Sequence, residues 1–170
     1  MVDQTLKLDI NWQANHTHSI KAGLHYFGHD LKNEWYEIRN KYYNTNNDSV
    51  YVPEIFGDSS AYADVYSITP QELAFYVQDK MEFDDMVINI GLRYDQFDPQ
   101  SVYPSDRRNP ANQLILPDSM MSFYPNAPII SQLSPRLGFA YQLGGQAVLH
   151  FSYGHFFQMP PMYSLFQNHS

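Results

Sequence analysis

The stretch SPRLGFAYQLGGQAVLHFSYGHFF, Ser134 to Phe157, alternates residue by residue. Leu137, Phe139, Tyr141 and Leu143 interleave with Arg136, Gly138, Ala140 and Gln142. After two glycines, Ala147, Leu149, Phe151 and Tyr153 interleave with Val148, His150, Ser152 and Gly154. Side chains of a strand point to opposite faces with period two, so this is a hairpin with one apolar face and one polar or small face. Four more segments carry the same signature: Thr5 to Ala14, His18 to Phe27, Glu72 to Phe83 and Met86 to Phe97. No stretch shows a helical stripe. A chain built this way is confined to antiparallel sheet, and the question becomes what covers the apolar face.

Loop length fixes hairpin register. A three-residue turn at 15–17 pairs Trp12 with Ile20. A two-residue turn at 84–85 pairs Phe83 with Met86, and a three-residue turn at 144–146 pairs Phe139 with Phe151. In each hairpin apolar residues then meet on one side. One residue breaks the pattern: Asp79 falls on the apolar face of its segment. The other two connections, 28–71 and 98–133, are long. The first carries seven acidic and three basic residues, half of the net charge of −8, and the second holds six prolines. Short turns therefore gather at one end of an up-and-down sheet and long loops at the other.

That asymmetry is the pattern of a transmembrane β-barrel, with short periplasmic turns, long extracellular loops, apolar residues outward and polar residues inward. Strands of about ten residues, tilted by roughly 40°, span the ~25 Å apolar band. Trp12 and Phe83 flank the short turns, while Tyr26, Tyr94, Phe97, Tyr153 and Phe157 lie toward the long loops, where amphipathic rings favour the membrane interface. The expected fold is all-β: about six antiparallel strands of an incomplete barrel spanning residues 1–170. It is incomplete because closure in lipid takes at least about eight strands. A soluble sandwich alternates in the same way, but it leaves the two long loops unexplained. Two further alternatives are a surface-attached structural or adhesive β-protein and a passive porin-like channel. The acidic balance excludes nucleic acid as a partner, and the chain has no cysteine for a disulfide or thiolate metal site.

The stretches AFYVQDKMEF, VINIGLRYDQFDP, SPRLGFAYQL and LHFSYGHFFQMPP resemble strand-and-turn signatures of TonB-dependent outer-membrane receptors, of the larger type found in Bacteroidota-like bacteria. The likeness runs from Gln71 to Asn168, and the first half fits more loosely. The resemblance implies a place in the Gram-negative outer membrane and contact with its lipid. It also implies a barrel of about 22 strands, of which this chain would supply about a quarter. It further implies a plug and TonB box that are not recognisable in these residues, and energy from the TonB complex. Its cargo would be a scarce or large nutrient such as a siderophore, cobalamin, glycan or peptide.

Chemistry in the sequence is sparse, and we expect no catalytic residue, no metal site and no cofactor. His16 and His18 lack a third ligand. His150 and Ser152 share a strand face without an orienting partner. Asn44 to Ser49 offers oxygens but not the glycine and distal glutamate of a calcium loop. Trp35, Tyr36, Tyr42, Tyr43 and Tyr51 in the first long loop are the candidate ligand-binding residues, because aromatic faces beside acidic groups receive sugars, peptides or cationic chelates. Arg93, Asp95 and Arg136 are expected to face the lumen near its mouth. Pro160 and Pro161 are expected to end the last ladder, since proline cannot donate to it.

Overall fold

The computed structural model describes residues 2–42, 51–58, 62–106, 120 and 122–166. Its strands are β1 (Val2–Gln13), β2 (His18–Tyr36), β3 (Ile38–Asn40), β4 (Pro53–Ile55), β5 (Ala63–Ile68), β6 (Gln71–Glu82), β7 (Met86–Asp98), β8 (Ile130–Leu143) and β9 (Ala147–Gly154). A single helical turn, α1 (Met162–Leu165), follows. The main sheet is antiparallel throughout, in the order β1-β2-β6-β7-β8-β9, and among the described residues it is open: β1 and β9 each have a neighbour on one side only.

The three hairpins take the registers that their turn lengths dictate. Trp12 pairs with Ile20, Met81 with Ile88, and Phe139 with Phe151. The first turn is held by Asn15, whose Oδ1 accepts from the backbone N–H groups of Thr17 and His18, both at 2.8 Å. The third uses Gly144 and Gly145 at φ +55° and +77°, a region that other L-residues enter at a cost. The turns lie side by side, because Glu82 N donates to Thr17 O and Gln142 N to Asp85 O, each at 2.8 Å.

The structure revises two boundaries. The stretch after Phe27 is not all loop. β2 runs on to Tyr36, and its outer half pairs with β5, from Leu31 opposite Ile68 to Tyr36 opposite Ala63. Alternation with an apolar face stops at Phe27 because this outer part projects past the band that the six long strands share. The last ladder ends at Gly154, well before Pro160. The stop is set across the sheet by Pro135, whose carbonyl accepts from His155 N at 3.1 Å. In an antiparallel pair a residue's N–H and C=O point to the same side, and proline has no N–H to return.

Leu6, Leu8, Ile10, Trp12, Phe75, Val77, Ile90, Leu92, Leu149, Phe151 and Tyr153 share one face, and each is between 43% and 61% exposed. Among the described residues nothing packs on that face. The small buried core lies on the other side, at the long-loop end. There Leu31, Phe97 and Phe166 meet, with Tyr66, Ile68, Met159 and Met162 around them. The chain beyond β9 thus folds back over the polar face.

Candidate functional site

The polar face divides into two halves of different character. On β1, β2 and β6 several of its charged groups are tied to one another. Asp9 lies opposite Gly23, and Gly23 lies opposite Tyr76. Without a side chain at 23, the Tyr76 ring crosses the β2 backbone and its hydroxyl donates to Asp9 Oδ1 at 2.8 Å. His25 Nε2 donates to the same oxygen at 3.1 Å. A Cβ on Gly23 would collide with both the Asp9 carboxylate and the Tyr76 ring. Nearer the mouth, His29 bridges two carboxylates, with Nδ1 2.8 Å from Asp3 and Nε2 3.4 Å from Glu72. Lys7 lies over the Phe27 ring, 5.2 Å from its centre.

Arg93 and Asp95, two apart on β7, form a forked pair. Arg93 Nε donates to both Asp95 oxygens at 2.9 and 3.0 Å, and Nη2 lies 2.7 Å from Oδ1. Asp95 is buried. Phe157 and Met159, from the segment after β9, line the small cavity above this pair together with Phe27 and Glu72. Arg136 does not join them. It stands opposite Gly91 and Gly154, and its guanidinium lies 5.2 Å from the Phe156 ring centre.

The aromatic residues of the first long connection are only partly brought together. Trp35 is exposed at the outer end of β2, opposite Asp64. The Tyr36 hydroxyl donates to Asp58 Oδ1 at 3.1 Å. That bond, and to a lesser degree desolvation and the charges of Asp58 and Glu34, raises the Tyr36 phenol above its ordinary value. Tyr66 is raised as well, by desolvation and then by Asp64. The backbone N–H of Tyr42 donates to Asn40 Oδ1 at 3.3 Å, and Tyr51 is exposed. Tyr43, like the 44–49 stretch, lies outside the described residues. Two further aromatics of this connection do meet: Phe56 lies 5.2 Å from the Tyr62 ring, and Arg39, which the sequence did not single out, stacks on that ring at 4.1 Å.

The Asp9–His25–Tyr76 cluster escaped the sequence. Parity put all three residues on the polar face, but their contact needs the β2–β6 pairing, which joins strands separated by the first long connection. Asp79 finds its reason in the same pairing: His18 Nδ1 lies 2.7 Å from Asp79 Oδ2 on the apolar side, near the short turns.

Long antiparallel strands with an uncovered apolar face and a wired polar face define the wall of a transmembrane β-barrel. A family model described as "TonB dependent receptor-like, beta-barrel" matches residues 2–169, and the chain belongs to that family. The family comprises receptors and transporters of the Gram-negative outer membrane, not enzymes, which engage TonB and a ligand. Neither the search of curated proteins nor that of solved structures returned a match.

Proposed function

We propose that this chain forms part of the wall of a receptor that imports a scarce or large nutrient with energy from the TonB complex. The observation that carries this reading is the pairing of opposites in one sheet. Among the described residues the apolar face is bare from Leu8 on β1 to Leu149 on β9, while the polar face behind it holds the His25–Asp9 hydrogen bond and the ion pair of Arg93 with buried Asp95. Hydrocarbon on one side and a wet lumen on the other satisfy both faces. The turns at 15–17, 84–85 and 144–146 face the periplasm, and the connections 28–71 and 98–133 face outward. The bare edges of β1 and β9 are covered by further strands, because lipid offers no partners to backbone groups.

In this reading Trp35, Tyr36, Tyr42, Tyr43 and Tyr51 meet the ligand at the mouth. Arg93, Asp95 and Arg136 line the path below it. Specificity comes from the outer connections, and siderophore, cobalamin, glycan or peptide fits the aromatic and acidic chemistry there. No enzymatic step is required of the chain. Two measurements test the proposal. Cell fractionation places the protein in the outer membrane, soluble only in detergent, and recovery as a detergent-free soluble monomer overturns the reading. Uptake of the cognate nutrient stops when the inner-membrane proton gradient is collapsed, whereas a passive channel continues to conduct.

A further inference from the structure

On β6, β7 and β8 the polar face is not self-satisfied. Gln78, Gly91 and Arg136 stand side by side in register across the three strands, with Tyr76 and Arg93 in the next inward-facing row. These five residues line a recess of about 130 Å3. That is several times the ~30 Å3 that one water occupies in the liquid. Gly91 forms the floor, and a Cβ there would make only ordinary contacts with Val77 O at 3.4 Å and with the Gln78 side chain at 3.5 Å.

Two guanidinium groups border this recess. Arg93 commits Nε and Nη2 to Asp95 and leaves Nη1 without a partner among the described residues. Arg136 has no carboxylate within ion-pair distance among the described residues and rests on the Phe156 ring. A guanidinium has five donors and no acceptor, so both groups offer donors to an incoming anion. Arg93 and Arg136 carry two positive charges against the single negative charge of Asp95, leaving one in excess. The Tyr76 hydroxyl is turned toward Asp9, so that carboxylate is engaged elsewhere. The Gln78 amide has no hydrogen-bond partner among the described residues and adds a neutral donor.

We propose that Arg136 and Arg93, above Gly91 and beside Gln78, form an anion-binding recess that takes a carboxylate or phosphate group. The proposal rests on the reading of this face as a lumen. Two sources share that chemistry: a soluble anionic solute, and an acidic side chain of polypeptide occupying the lumen. Arg136 is the principal ligand, since its charge is uncompensated, and Arg93 supplies the second donor.

The test reads the reactivity of Arg136 toward phenylglyoxal in the whole protein in detergent, by peptide mass spectrometry. Inorganic phosphate and citrate serve as the probes. If Arg136 reacts readily and either probe slows it at least about fivefold, saturably, the recess takes a soluble anion. If Arg136 is slow from the start and 1 M salt releases it, the recess is filled by a polypeptide carboxylate, because salt screens such pairs. Rapid reaction indifferent to both probes, or slow reaction indifferent to salt, overturns the proposal. Gly91→Leu fills the recess without removing a charge and abolishes probe or salt sensitivity; Gly91→Ala, which fits the space, reduces it. The assignment of the two sheet faces has its own test in the insertion of charge at positions 149 and 152. Anion protection of Arg136 together with equal penalties there would keep the recess and reject the barrel, and the converse would keep the barrel and reject the recess.

Discussion

His18 Nδ1 lies 2.7 Å from Asp79 Oδ2, on the side of the sheet that also carries Ile20, Val77, Met81 and Ile88. The two side chains are 39% and 30% exposed, so the pair is half-sheltered by apolar neighbours even before lipid is added. Removing one partner leaves the other polar group stranded, whereas replacing both restores a uniform apolar surface. His18→Leu is therefore expected to destabilise the protein by about 1–3 kcal/mol, and His18→Leu with Asp79→Leu is expected to recover most of that loss. Urea unfolding in bilayers reads both. A double variant as unstable as the sum of its single changes would refute the pairing.

Leu149 projects from the apolar face as the third residue of β9, and Ser152 projects from the opposite face. A cationic side chain at the bilayer midplane costs about 2–4 kcal/mol, while a lumenal one meets water. Leu149→Arg should lower stability in bilayers by up to that amount, and Ser152→Arg by much less. Equal penalties would reject the assignment of faces.

Gly23 lies under the Tyr76 ring, with Asp9 on its other side. Gly23→Val forces the ring away and parts the hydroxyl from Asp9, and overpacking of this kind costs about 1–3 kcal/mol. Gly57, which has nothing within 4 Å of an added Cβ, provides the control, and Gly57→Val should leave unfolding almost unchanged. Loss of stability in Gly23→Val should also shift the fluorescence of the tyrosines. An unperturbed Gly23→Val protein would show that the close approach is not needed.

Tyr36 stands in the outer part of β2, which runs past β1 and β6 and pairs with β5, and its bond to Asp58 holds the phenol proton above the ordinary range. A raised acid binds its proton more tightly in the folded state, so the stabilisation is fully present below the unfolded value. It disappears as pH rises through the folded one, in a window that starts near the ordinary tyrosine value and extends upward. The difference in 295 nm absorbance between the protein and its Tyr36→Phe variant should titrate later than free tyrosine. In Asp58→Asn that titration should move back down; no movement would mean that the bond is not what raises it.

Residues within each hairpin were legible because their placement is local. Phe139 meets Phe151, and Met81 meets Ile88, as soon as turn length and period two are combined. Turn chemistry was legible too, in Asn15 and in the two glycines at 144 and 145. Less legible were the ends of the ladders. The sequence suggests Pro160 as the stop, yet Pro135 ends β9 from the neighbouring strand, because a missing donor is felt by whichever residue sits across from it.

The sequence by itself determined which side chains share the apolar face, since alternation and turn length together bring the apolar residues of each hairpin to one side. The tertiary structure alone decided which polar residues touch. Asp9 reaches Tyr76, and His18 reaches Asp79, only because β6 lies beside β2 in the sheet. Phe166 covers Phe97 only because the chain beyond β9 turns back over the polar face. Period two records the face of a residue but not its neighbour across a long connection. That neighbour is set by sheet order and by the burial gained when the outer segments pack together.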